Sequence, residues 1–152
     1  MEEYKIRRVE KKDVERIWEI RNHPLVRKCS GSSEIIDLER HKNWFHDKYF
    51  ENKNNFCYVL SNGINLAGYC RFDYSEEGKA QIVSIAIDPE NQSRGLGTQL
   101  LSQSLKKLKD KQNISVLAEV KKNNIASTKL FEKNGFEKCR EDEENYYYLK
   151  RL

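Results

Sequence analysis

Fourteen consecutive residues, Ile85-Ala86-Ile87-Asp88-Pro89-Glu90-Asn91-Gln92-Ser93-Arg94-Gly95-Leu96-Gly97-Thr98, concentrate the chemistry of this chain. An apolar run stops at Asp-Pro, a short turn follows, and Gln-x-x-Gly-x-Gly opens a long amphipathic stretch. A helix start leaves four backbone N–H groups unpaired. Aligned peptide dipoles place about half a positive charge there. Gly95 and Gly97 let the backbone approach phosphate oxygens closely. Between Gln92 and Thr98, Arg94 adds a side-chain partner and Thr98 a hydroxyl, with Ser93 and Leu96 completing the turn. The pattern is that of an anion cradle, although two glycines alone can also serve only a tight strand-to-helix turn. GxGxxG and GxxxxGK[ST] are absent, which excludes the dinucleotide fingerprint and the P-loop.

A second segment follows. It runs Leu117-Ala118-Glu119-Val120, then Asn123-Asn124-x-Ala126-x-x-x-Leu130-Phe131-Glu132-Lys133-Asn134-Gly135-Phe136. Together the two segments resemble motifs A and B of the GNAT superfamily of N-acetyltransferases, over roughly residues 80–139. The resemblance implies acetyl-CoA as cosubstrate. It implies that the strands at Val83–Ile87 and Ile114–Val120 splay apart, with the pantetheine arm between them. Ile85 and Ile87, on either side of Ala86, would offer backbone groups to the arm from a β-bulge, and the pyrophosphate would lie on amides from Gln92 to Thr98. Asn124 matches an Asn that contacts the cofactor in relatives; as the residue opening a helix it serves equally as a cap.

The implied reaction is acyl transfer to a neutral amine, whose proton a base or a water chain must take. Many relatives supply a Tyr as acid for the departing thiolate. The matching position here is Phe131, which reads as core packing. Tyr69, Tyr146, Tyr147 and Tyr148 are the available phenols, with Tyr69 and Tyr147 taken forward as candidates, and solvent is the other proton source. Glu119 matches a general base in some relatives. Its apolar strand makes a raised pKa plausible, while a strand carboxylate can also only bond to backbone.

The N-terminal half is expected to hold the acceptor. Arg21-Asn22-His23-Pro24, His41-x-x-Trp44 and Arg71-Phe72-Asp73, in that order, resemble the acetyltransferases of pseudaminic-acid biosynthesis. That resemblance implies an amine on a UDP-linked 4-amino-4,6-dideoxy sugar. Arg21, Arg27, Arg40 and Arg71 are cations for a pyrophosphate; Trp44, Phe45 and Tyr69 are flat rings for uracil. His41 shares a helix face with Leu38 and Trp44. It reads either as an acceptor contact or as a core histidine donating to a backbone carbonyl. His23 and His46 read as structural.

Positioning these groups takes an α/β chain with a mixed sheet, in the order β-α-α-β-β-β-α-β-α-β-β. Strands are expected at Tyr4–Val9, Asn54–Leu60, Asn65–Tyr74, Lys79–Asp88, Ile114–Val120, Phe136–Cys139 and Asn145–Lys150. Asn62-Gly63 marks a hairpin turn. Helices are expected at Asp13–Asn22, stopping before Pro24, at Asp37–Phe50, at Gly95–Lys109 and at Asn123–Asn134. In the third of these, Leu96, Leu100, Leu101, Leu105 and Leu108 form one stripe. A polar patch, Cys29–Glu34, separates the first two.

The 152 residues suit a single domain spanning 1–152. The net charge of +4 is too mild and too scattered for a nucleic-acid binder. Apolar runs are far shorter than the ~20 residues of a membrane span, and no signal peptide is visible. A cytoplasmic protein with reduced thiols is therefore the expectation. Four cysteines without CxxC or Cys/His clustering offer no metal site. Two further function classes fit the same residues. One is a protein N-terminal, lysine or small-amine acetyltransferase. The other is a catalytically silent acetyl-CoA-binding module, for which Phe131 speaks.

Overall fold

Alternate residues of the central strands are driven to opposite sides of one sheet, and each side buries its own helices. The computed structural model describes residues 3–30, 34–92 and 94–152. Its strands are β1 (Lys5–Arg8), β2 (Phe56–Ser61), β3 (Leu66–Ser75), β4 (Ala80–Ile87), β5 (Ser115–Lys121), β6 (Glu137–Glu141) and β7 (Asn145–Arg151). They form one seven-stranded sheet in the order β1-β2-β3-β4-β5-β7-β6. All neighbours are antiparallel except β4 and β5.

On one face Tyr58, Leu60, Cys70, Phe72 and Val83 meet Leu100, Leu101, Leu105 and Leu108 of α4 (Leu96–Lys109). The expected leucine stripe is the buried face of this helix, and α4 is the crossover that a parallel pair requires. Phe131 of α5 (Ile125–Lys133) completes that core. On the other face Cys57, Val59 and Tyr69 meet Ile17 and Ile20 of α1 (Val14–Asn22) and Phe45 of α3 (Leu38–Phe45). Among the described residues no helix is long and apolar enough to cross a membrane.

Three expectations need correction. A short helix, α2 (Pro24–Cys29), stands where the chain was expected to stay non-helical after Asn22. Pro24 opens this helix instead of only ending the one before. Its missing N–H is no loss at a first turn, and His23 caps the helix by accepting from the Leu25 amide. The expected helix over Asp37–Phe50 is α-helical only to Phe45; His46–Phe50 is a π-helical turn. The bulge implied in β4 is absent. The β3–β4 register runs unbroken from Gly68↔Ile87 to Ser75↔Ala80; the register shifts lie in the β2–β3 pairing at Leu60/Ser61 and in the β6–β7 pairing at Lys138/Arg140.

The open side of β4 has another origin. Its pairing with β5 lasts from Ala80↔Ser115 to Ile82↔Leu117 and then stops. The sheet's outer strands are β1, in part exposed, and β6, in which every residue is exposed.

Close approach of β3 to β4 rests on Gly68. A Cβ there would lie 2.6 Å from Ile87 Cδ1 and 2.7 Å from the Ala86 carbonyl oxygen. The side chain can rotate away, but the backbone oxygen cannot. Gly68→Ala should cost about 1–3 kcal/mol and lower Tm by several degrees, as read by thermal denaturation. An unchanged Tm would mean that β4 yields freely at Ala86.

Candidate active site

Past Ile82 and Leu117 the two central strands part, and Ile85, Ala86 and Ile87 become only half-buried in the middle of the sheet. From Ser84 to Ile87 four residues in a row are half-buried, where β5 no longer pairs with β4. The residues expected to face the cofactor thus line a cleft. The chain then turns through Pro89–Asn91 and enters α4 at Gly95, whose φ of 74° is left-handed. That conformation favours glycine. It also means that α4 begins with no side-chain cap. Its first amides are left for another acceptor.

Around this start, Leu96 is buried and can offer only its backbone, while Gln92 and Arg94 are exposed and Thr98 is half-buried. Gln92 folds back, donating through Nε2 to the Ile87 carbonyl at 3.3 Å. Ser93 lies outside the described residues. A Cβ on Gly97 would sit 3.8 Å from both Ile87 and Leu130, in ordinary contact between β4 and α5. Asn124 accepts from the Ser127 amide at 3.1 Å as the cap of α5, so its Oδ1 is committed.

The turn before α4 is held from a distance. Asp88, buried, accepts from Arg16 Nη2 of α1 at 2.5 Å and from the Glu90 amide at 3.2 Å. Arg16 Nε also donates to the Leu66 carbonyl, 3.2 Å away. One helix therefore clamps both the turn and the start of β3. Sequence reasoning missed this pair, whose members lie 72 positions apart.

The catalytic candidates share the sheet face that α1 and α3 cover elsewhere. Tyr69 stands across from Ala86, and Glu119 across from Tyr147. The register puts all four on that one side, Tyr69 on one bank of the cleft and Glu119 with Tyr147 on the other. Glu119 is exposed, so it lacks the burial that the sequence suggested. The Tyr147 hydroxyl donates to Asp142 Oδ2 at 2.9 Å, and that bond pushes its pKa up. Tyr69 is buried, and burial raises its pKa against the opposing pull of Arg71 and Arg21. Tyr148 is enclosed and donates to Glu132 at 3.2 Å; the Tyr146 ring lies under Lys138 and Lys122. Phe131 packs edge-on against Phe136, with centroids 5.1 Å apart, a role in the core.

The four acceptor candidates do come together, around Trp44. The Arg21 guanidinium stands 4.3 Å from the indole centroid, that of Arg71 5.1 Å, and Lys48 Nζ 5.2 Å. His41 is fully buried beside them. Its Nε2 lies 3.0 Å from the Val14 carbonyl and must donate, which makes Nδ1 the acceptor for Arg21 Nη1 at 3.4 Å. Burial, the largest influence, holds the imidazole pKa down at about 4, with help from Arg21 and Arg71. His41 is thus neutral and packed, and it steers Arg21.

Three further residues belong to this group. The Tyr49 hydroxyl accepts from Arg71 Nη1 at 2.9 Å and donates to Asp73 Oδ1. Lys48 Nζ lies 3.2 Å from Asp73 Oδ2. Asp73 was legible as i+2 from Arg71 on a strand. Tyr49 was not, because the π-helical turn shifts it off the α-helical spacing. Of the other expected contacts, Phe45 is fully buried and offers no open ring, and Arg27 donates to the Asn22 carbonyl. Arg40 is exposed on α3. Asn22 exchanges two hydrogen bonds with the Ile36 backbone and so ties α1 to the approach of α3. Among the described residues no cluster of His, Cys, Asp or Glu could hold a metal ion.

The model of the acetyltransferase (GNAT) family matches residues 14–136. No curated protein matches the chain. Among solved structures, yncA from Salmonella typhimurium, a putative acetyltransferase with acetyl-CoA bound, is 21% identical with a TM-score of 0.83, covering 98% of this chain and 94% of that one. A putative phosphinothricin N-acetyltransferase is 24% identical with a TM-score of 0.84, and each chain is 99% covered. The spermidine N-acetyltransferase of Vibrio cholerae, with CoA and spermine, is 16% identical with a TM-score of 0.85, covering 97% and 95%. At these identities the structures establish the shared fold.

The burial of His41 has a consequence for stability. Its folded pKa of about 4 lies below the ordinary 6.5. Between those values the unfolded chain binds more protons, so stability falls as pH drops through this window and levels off below it. The depression corresponds to about 3 kcal/mol. In urea denaturation between pH 7 and pH 4, His41→Gln should lose correspondingly less stability than the parent. Equal losses would show that folding leaves the His41 pKa where it is in the unfolded chain.

Proposed function

Given that the chain belongs to the acetyltransferase (GNAT) family, matched over residues 14–136, we propose that its acceptor is the primary amine of a nucleotide-linked amino sugar. The reaction class comes with the family: an acyltransferase that moves an acetyl group from acetyl-CoA to an amine nitrogen. The observation that carries the acetyl-CoA part of the reading is the parting of β4 from β5 beside an uncapped, glycine-opened helix. A half-buried strand edge and a row of free amides are what an amide-bearing arm and a pyrophosphate require.

Bound acetyl-CoA supplies an activated thioester to a neutral amine. The chain's own work is to hold and to move protons. The β4 backbone from Val83 to Ile87 presents its free edge, and the amides from Gly95 to Thr98 receive phosphate oxygens. Glu119, exposed beside the cleft, is the carboxylate in reach of water that can take the amine's proton. Tyr69 is favoured over Tyr147 as a proton donor. Burial keeps the Tyr69 phenol protonated, whereas the Tyr147 hydroxyl is already given to Asp142.

The amino-sugar assignment is supported by the cations gathered on Trp44, which suit a phosphorylated acceptor better than a polycation. Spermine, bound by the Vibrio cholerae relative, would meet repulsion here.

A Cβ on Gly97 meets Ile87 and Leu130 at 3.8 Å, an ordinary contact, so Gly97→Asp brings a carboxylate to the start of α4 with no clash at Cβ. The variant should fold, with native circular dichroism, and lose most of its affinity for CoA in calorimetry. Unchanged affinity would remove the cradle from the reading. With equal concentrations of acceptors, a thiol-release assay should rank UDP-4-amino-4,6-dideoxy sugars above polyamines, aminoglycosides and N-terminal peptides. Faster turnover of a peptide or polyamine would leave the family and refute the sugar.

A further inference from the structure

Three cations, Arg21, Lys48 and Arg71, lie within reach of the Trp44 ring. Among the described residues the carboxylate acting on both guanidiniums is Asp73, and it is shared with Lys48. The group therefore keeps an excess of two positive charges. One indole ring cannot offset three cations. Burial, and after it the neighbouring Arg71, works against the charge of Arg21. Arg71 is better supported: its Nη1 is held by Tyr49 and lies 3.5 Å from Asp73. Its Nε, by contrast, is buried without a hydrogen-bond partner. A buried donor on a charged group normally has an acceptor, and buried like charges are normally balanced.

An anion would answer both. We propose that Arg21 and Arg71 form a subsite for a phosphate group of the acceptor, seated against Trp44. The inference rests on the acyl-transfer reading only for the word acceptor. Its position agrees with that role. Arg71 stands across from Ser84, two residues beyond the last β4–β5 pair, on the same sheet face as Tyr69 and Glu119. A phosphate there would lie beside the cleft mouth, across the sheet from the face that α4 covers. Phosphate is chosen over carboxylate because its double charge matches the excess, and because two guanidinium forks can share its oxygens.

The test is calorimetry on the full chain, with coenzyme A present at saturation so that its own cradle is filled. Inorganic pyrophosphate and UDP are the probes, and L-glutamate is the carboxylate comparison. The parent should bind both phosphate probes. Arg71→Gln and Arg21→Gln should each weaken that binding about ten- to hundred-fold, with coenzyme A affinity unchanged. Arg21 is only partly buried, so its variant serves even if loss of Arg71 disturbs folding. No binding by the parent, or equal binding by parent and both variants, would overturn the subsite. Tighter binding of L-glutamate than of pyrophosphate would overturn the phosphate assignment. The coenzyme A titration reports separately. If it fails while Arg21→Gln still weakens pyrophosphate binding, the subsite stands and the acyl-transfer reading falls.

Discussion

β4 and β5 hydrogen-bond to each other only from Ala80↔Ser115 to Ile82↔Leu117, and beyond that point the middle of the sheet has lost a neighbour. A strand interior ordinarily has both backbone edges paired, because unpaired buried amides are costly. The rest of the molecule is arranged around this gap. α4 starts at its end with amides uncapped. α5 packs beside α4, and Leu130 stands 3.8 Å from where a Cβ on Gly97 would lie. The candidate phenols and the one carboxylate stand on its two banks. The gap is not made by a bulge in β4, whose pairing with β3 is regular. It comes from β5 leaving, while β7 keeps β5 fully paired on its other side.

α1 joins the two halves of the site. Its first turn supplies the Val14 carbonyl that fixes the His41 tautomer. The same turn supplies Arg16, which holds Asp88 before the start of α4, and the last turn supplies Arg21 on Trp44. The buried side chains between them, Ile17 and Ile20, fix the helix against the sheet. Apolar packing thus sets the distance between the turn before α4 and the cationic group.

Much of this was legible because it is periodic. The leucines of α4 recur every three to four residues, and the glycines before them can only mean a turn or a close approach. In β5 the alternation of Val116, Ala118 and Val120 with Leu117 and Glu119 already implies that Glu119 faces away from the core. Its apolar neighbours in sequence suggested burial only because sequence neighbours are not spatial ones on a strand. Other features carry no periodic signal. Pro24 can end one helix or begin the next, and the side-chain cap from His23 decides it. The π-helical turn at His46–Phe50 breaks the spacing that would place Tyr49. The Arg16–Asp88 pair joins distant segments that only the finished fold brings together.

An open sheet of seven strands has two ends, and each is a template for another chain's backbone. β6, Glu-Lys-Cys-Arg-Glu, exposes every side chain, and β1, Lys-Ile-Arg-Arg, closes the other end. An approaching strand would have to desolvate charges along both borders, cations on β1 and charges of both signs on β6. Charged borders raise the cost of adding another chain's strand, so the sheet can be open in its middle without its ends being ready templates.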